Sequence, residues 1–529
     1  MAQRIISIKL GKRCDILADS RIRNSLLNAA SIFGSTFLYD IGYFFLRAVF
    51  VRTLATEYLG VEGLFSNILS VFSLMELGVG PALTVSLYEP IAREDTEKIK
   101  SLMSLYRKAY HIVGCCVAVL GIGLLPFLPY LIKTPPEYIP NLTQIYLLFV
   151  LNSVLSYFCI YKQSLFIAHQ KNYLVTLWYN GARLLMLGIQ AVVLFTTQNY
   201  IFYLIVQILF TRGGNLFISA KADQYYPYLK EKNIAPLDRQ EKHRIFRYAY
   251  AAALHGVGSQ AVNSTDQIII SAFAGLISGG LYSNYVMVTN ALRSFIQKAF
   301  SSFNASVGNL LATEDHAYLL TTFYRLLFLN FWLSGFAVIG IVCCIQRFII
   351  LWVGSSLLLG MDIVLCLAGV FYLSTMRRTV LSFIDASGTF YNSRFSPLAE
   401  AAVNLVASIF LVRRFGTVGV PMGTIISSVA VCFWVEPYVL YKHILKESCW
   451  NYFSRVLRSF GLTVAAGLVT YRLCVLIPGE GVLSFIVAVA ICCVVPNLIM
   501  IAVYHKNEHF LYYKRIALRF LQQRRKKAI

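Results

Sequence analysis

Apolar stretches of roughly twenty residues recur along the chain from about residue 27 to about residue 504, separated by short polar or charged connections. Each is long enough to cross a hydrocarbon core ~30 Å thick as an α-helix. The pattern predicts fourteen such helices, at 27–51, 61–86, 109–132, 141–161, 173–196, 200–220, 247–273, 279–301, 322–346, 361–384, 395–412, 419–440, 456–476 and 482–504. An all-α integral membrane protein is therefore expected. Composition agrees: 57% of the residues are hydrophobic, 14% are charged, and the mean hydropathy is +0.64, well outside the range of soluble globular domains. The opening MAQRIISIKLGKRCDILADSRIRN has no uninterrupted apolar core and no small-residue cleavage site, so no cleavable signal peptide is expected.

A net charge of +22 would suggest nucleic acid in a soluble protein. Here Lys and Arg concentrate in the tails and in the connections that share a side with the N-terminus, and the short outer connections hold few. That asymmetry predicts both termini in the cytoplasm. The tail KRIALRFLQQRRKKAI then reads as a basic segment resting on anionic headgroups, with no nucleic-acid partner.

One internal repeat is visible: GLFSN at 63–67 in the second segment and GLYSN at 280–284 in the eighth, 217 residues and six segments apart. Two pseudo-symmetric six-helix lobes are expected, at 27–220 and 247–440, with two added helices at 441–504. The flanking pieces are an N-terminal segment 1–26, the charged, proline-containing connection 221–246 and the tail 505–529. An even number of segments per repeat leaves both copies in one orientation, with a central cavity between them.

Asp40, Arg47, Glu76, Arg183, Arg212, His255, Asp266, Arg293, Lys298 and Glu400 lie inside the predicted helices. A centred Asp, Lys or Arg costs about 2.5–3.5 kcal/mol on insertion scales, so these residues are expected to face protein or water. In the eighth segment Ser283, Asn290, Ser294, Gln297 and Ser301 recur on one helical face beside Arg293 and Lys298, the pattern of a hydrated lining. The repeat sets Glu76 against Arg293, opposite charges at matching depth; Glu76 is either an ion-coupling carboxylate or the neutralising partner of an arginine. Arg183 has no acid in its own segment and is a candidate for an anion supplied by substrate. Asp266 and Arg47, each toward the outer end of the helix that opens its lobe, are read as an outer gate pair, against the simpler reading that Asp266 bonds locally to Asn263 or Ser264.

The twelve cysteines include adjacent pairs inside apolar runs and no C-x-x-C, and read as small packing residues. HKNEH at 505–509 matches a metal pattern in His505, Glu508 and His509 but lacks a further ligand downstream. No phosphate loop for ATP and no D-x-D sugar-nucleotide motif occur, and no metal or other cofactor is expected.

The stretch YLGVEGLFSNILSVFSLMELGVGPALTVSLYEPIAREDTEKIKSLMSLYRKAYHIVG resembles the amino-terminal lobe of bacterial polysaccharide-transport proteins, the Wzx-type lipid-linked oligosaccharide flippases of the multidrug/oligosaccharidyl-lipid/polysaccharide (MOP) exporter superfamily. YKQSLFIAHQKNY resembles the family's loop after the fourth helix, and STDQIIIS with GLYSNY the start of its second lobe. The resemblance covers roughly residues 25–300; His169 stands where the family's loop has an acidic residue. It implies a non-enzymatic flippase of the bacterial cytoplasmic membrane that moves a polyprenyl-pyrophosphate oligosaccharide by alternating access for surface polysaccharide synthesis. Membrane lipids, a returning H+ or Na+, a polymerase and glycosyltransferases are the implied partners.

Arg183, Arg293, Lys298 and Arg47 are then expected to meet pyrophosphate, Asn290 and Gln297 sugar hydroxyls, and Asp40, Glu76 and Asp266 to serve gating or ion coupling. A drug or organic-cation antiporter of the same superfamily would line its cavity with carboxylates and aromatics. A polysaccharide polymerase or ligase would use a large outer loop with Arg and His, whereas the outer loops here are short.

Overall fold

The computed structural model describes residues 34–527, apart from residues 77, 133–138, 232–233, 302, 314, 388 and 390–392. The expected N-terminal segment and the first residues of the first membrane helix lie outside the described residues, as does the side chain of His255. The described residues form helices and no strands, and every predicted segment falls largely on helix. Among the described residues, eight helical segments qualify by length and apolar composition to cross a membrane. This is a multi-pass membrane protein.

The chain divides into two compact units, Met1–Ser264 and Thr265–Ile529. In the first, α1 (34–53), α2 (Glu57–Phe72), α3 (Val79–Ala92), α4 (Thr96–Gly123), α5 (Leu142–Ile160), α6 (Asn172–Thr197) and α7 (Tyr200–Tyr225) follow in order, with α8 (Arg239–Phe273) carrying the chain across the division. The second contains α9 (Leu276–Ser301), α10 (Asn304–Thr313), α11 (His316–Val353), α12 (Met361–Met376), α13 (Arg378–Ser387), α14 (Ser396–Phe415), α15 (Gly419–Ser427), α16 (Phe433–Leu440), α17 (Trp450–Val475), α18 (Val482–Tyr504) and α19 (Glu508–Lys527).

The division falls inside α8, not in the connection 221–246 that charge and proline content mark. The reason is that the connection is strapped to α4. Lys100 bridges to Glu231 at 2.7 Å, the Ser101 hydroxyl donates to the Ala235 carbonyl at 2.6 Å, and Lys98 pairs with Glu241. Ile245 then joins the first unit's apolar core.

The predicted helix 61–86 is two helices. A short 3-10 turn over Ser73–Met75 ends α2, and α3 begins at Val79. Gly78, at the break, lies so close to α8 that a Cβ there would stand 2.0 Å from the Ala249 carbonyl oxygen. Only glycine admits that approach, and Pro81 in the first turn of α3 removes one amide donor that a continuous helix would need.

Candidate functional site: a polar cavity in the first unit

Five helices of the first unit surround a cavity of about 680 Å³, within the size range of small-molecule sites. Each contributes one helical face at mostly three- and four-residue spacing: Tyr39, Asp40 and Tyr43 on α1; Glu62, Ser66 and Ser70 on α2, with Ser73 in the turn that ends it; Asn152, Ser153 and Ser156 on α5; Tyr179, Arg183 and Gln190 on α6; Tyr203, Gln207 and Thr211 on α7. In a helix otherwise made to meet lipid or packed neighbours, such a stripe is stable only where it faces water, a partner or a ligand.

Arg183 stands between aromatic rings. Its guanidinium carbon is 3.6 Å from the Tyr39 ring centroid and 5.3 Å from that of Tyr179, and it donates to the Tyr39 hydroxyl. Tyr39 in turn stacks on Tyr43, centroids 6.1 Å apart. Stacking on π faces holds a cation at low desolvation cost and leaves in-plane N–H groups to meet an acceptor. Glu62 is neutralised from behind by Arg47, itself only 6% exposed. With Asp40 and Arg183 added, the four charges sum to zero. The amide oxygens of Asn152 and Gln190 are buried and have no hydrogen-bond partner among the described residues, an arrangement that costs about 1–3 kcal/mol each unless water or a bound molecule completes it.

No family model matches the chain, and no curated protein matches it. Solved structures do. The lipid II flippase MurJ in an inward closed conformation aligns with a TM-score of 0.68 at 13% identity, over 89% of this chain and 98% of its own. An inward-facing multidrug-resistance MATE transporter of the MOP superfamily aligns with a TM-score of 0.59 at 12% identity, over 77% and 96%. A MATE transporter of Vibrio cholerae follows at 0.55 and 15%, over 80% and 99%. The chain has the fold of the MOP-superfamily transporters.

Within that fold, Arg183 and Asp40 line the cavity, and Arg47 reaches it through Glu62. Glu76 does not. It sits at the break after α2, with the Tyr110 and Tyr157 hydroxyls bonded to its carboxylate, and no ion pair includes it among the described residues. The neutralising arginine expected for Glu76 is thus replaced by two phenols. Arg212, also on the first unit's α7, is held by the Leu155 carbonyl at 3.5 Å and Cys159. His169, in the loop after α5, packs against Tyr226 with ring centroids 4.6 Å apart and planes tilted by 34°, and burial holds its pKa below the usual histidine range. It is a neutral packing residue at pH 7.

The second unit gathers other predicted residues. Asp266 accepts from the Thr424 hydroxyl at 3.2 Å, Thr424 also accepts from Asn404 at 2.9 Å, and Arg293 stands within electrostatic reach of Asp266. Ser264, one of the two local partners expected for Asp266, accepts instead from Gln260 at 3.1 Å; the side chain of the other, Asn263, lies outside the described residues. On α9, Arg293, Ser294 and Lys298 are half-buried, and Asn290, Gln297 and Ser301 are exposed.

Sequence reading missed three charged residues. Glu62 immediately precedes the GLFSN repeat motif, and that position was the available signal. Arg377 and Glu436, inside the predicted tenth and twelfth helices, join Glu400 in a buried triad: Arg377 Nη1 is 3.0 Å from Glu400 and its Nε 2.9 Å from Glu436. The chain widens into a π turn over Ser428–Cys432, and both end residues donate to Glu400, at 2.6 and 3.0 Å.

Proposed function

We propose that the protein is a flippase that translocates polyprenyl-pyrophosphate-linked oligosaccharide units across the bacterial cytoplasmic membrane, by alternating access of its two lobes. The observation that carries this reading is the first-unit cavity: hydroxyls, amides and tyrosine faces around one ring-stacked arginine. A sugar head brings many hydroxyls and apolar ring faces, and each unpaired hydroxyl taken into hydrocarbon costs several kcal/mol. Side-chain hydroxyls and amides replace its water. Arg183 is suited to a phosphate or carboxylate oxygen, with Arg293, Lys298 and Arg47 as further cations, and Asn290 and Gln297 as exposed polar contacts on α9. The shared fold with a lipid II flippase supports a lipid-linked substrate.

Outward movement of an anion gains about 2.3 kcal/mol per charge per 100 mV of inside-negative potential. Asp40, Glu76 and Asp266 are the carboxylates available for gating or for a returning H+ or Na+. The polymerase and glycosyltransferases of the same pathway would be working partners, and the basic tail would rest on anionic lipid.

A second reading, an organic-cation antiporter, is favoured by Asp40, Glu62 and four tyrosines in the same cavity. One experiment separates them. In cells lacking the gene, Arg183→Ala and Arg293→Ala should each fail to restore surface glycan while lipid-linked units accumulate on the cytoplasmic side and protein levels stay near wild type. Full glycan export in both variants, or wild-type glycan in the deletion strain with a changed susceptibility to cationic drugs, overturns the flippase reading.

A further inference from the structure

The two added helices meet α11 through sulfur. Cys343 and Cys344 on α11, Cys474 near the end of α17 and Cys492 on α18 converge in a dry core walled by Ile339, Ala466 and Ala488. The thiols of Cys343, Cys474 and Cys492 are buried and lie within 4.8 Å of one another, and Cys344 Sγ stands 3.6 Å from Cys492 Sγ. We propose that these four cysteines form a site for a soft cation with a filled d shell, Zn2+ or Cu+, which pins α17 and α18 to α11.

Distance supports this. Thiolates on a tetrahedral ion at about 2.3 Å lie about 3.8 Å apart; Cys344 and Cys492 stand at 3.6 Å, and Cys343, Cys474 and Cys492 within 4.8 Å of one another. Cysteines serving only as methyl-sized fillers have no reason to seek one another, yet these come from three helices and meet. Cys492 has three sulfur neighbours, where pairing would use one. Among the described residues this is the one place where three or more metal-capable side chains converge; His505, Glu508 and His509 do not.

Charge supports it too. Three thiolates and one divalent cation leave a single negative charge, with Cys344 as a neutral fourth sulfur. Arg347, one turn along α11, supplies the opposite charge where its guanidinium donates to the Cys474 carbonyl at 2.8 Å. Uncompensated ions buried in a low-dielectric core cost several kcal/mol each, so a neutral assembly is the form that such a place can hold. Binding displaces the thiol protons and makes metal affinity part of folding stability.

The test uses the full chain purified in detergent under reducing conditions. Titration with Co2+ should give the intense visible bands of tetrahedral cobalt thiolate at one equivalent, displaced stoichiometrically by Zn2+; an anaerobic arm with Cu+ distinguishes the two ions by which displaces the other. Cys474→Ser and Cys492→Ser should weaken uptake at least tenfold, while Cys115→Ser and Cys493→Ser leave it unchanged. Chelation should lower the Tm of the wild-type protein. Binding of less than half an equivalent of all three ions by the wild-type chain overturns the site, and so does equal uptake by Cys474→Ser. The wild-type titration decides the matter even where Cys492→Ser does not fold.

Discussion

The two units treat buried charge in opposite ways. In the first, Arg183, Asp40 and Glu62 line a cavity of about 680 Å³ beside buried amide oxygens without partners. In the second, Arg377 is locked by two carboxylates, Glu400 by a serine and a cysteine besides, and Asp266 by a threonine. The same residue types thus serve two ends. A charge ringed by tyrosines and serines around open space is poised to meet something that arrives, whereas a charge saturated by its neighbours joins helices. Helix continuity differs at the repeat-equivalent positions as well: the chain breaks at Glu76 and runs unbroken through Arg293.

The comparison is most easily broken at Arg377. Arg377→Ala leaves Glu400 and Glu436 buried without their cation, and removing one partner of such a group costs about 3–5 kcal/mol. Folded protein recovered from membranes should fall sharply, and a thermal-shift measurement on what remains should show a lowered Tm; wild-type stability would remove the structural role assigned to the triad.

Next comes Gly78→Val. Its side chain would enter the space of the Ala249 carbonyl, and overpacking of that kind costs about 1–3 kcal/mol. Reduced thermal stability is expected, with increased protease cleavage near residue 78. An unchanged protein would mean that α3 and α8 can separate at no cost.

A smaller effect on stability is expected from exchanging Arg47 and Glu62. Arg47→Glu and Glu62→Arg alone should each lower stability and export, and the double variant should recover part of both, since the pair is buried and local. No recovery would show that the two charges act separately.

The least stability change belongs to Asp40→Asn, which keeps shape and hydrogen bonding at a cavity wall. Its Tm should stay within a few degrees of wild type while glycan export declines. A loss of folded protein equal to that in Arg377→Ala would erase the distinction between the two units. Reporter fusions near 230 and 515 should report the cytoplasm, and one near 355 the outside.

Much of the helical frame was legible because membrane helices declare themselves by length and apolarity alone. The segments 141–161 and 482–504 match Leu142–Ile160 and Val482–Tyr504 to within a residue at each end. Arg183 was legible for the same reason, since an arginine without a nearby acid in an apolar run demands a polar surrounding. The sequence by itself therefore determined the helix pattern and which residues could not face lipid. Partners were another matter. That Arg47 meets Glu62, that Glu76 meets two tyrosines, that Arg377 meets Glu400 and Glu436, and that four cysteines from three helices share one core are facts of tertiary packing. Hydropathy reports the cost of placing one residue in one medium, and that is local; a hydrogen bond or ion pair depends on the rotation and depth of two helices at once, and only the folded chain sets those.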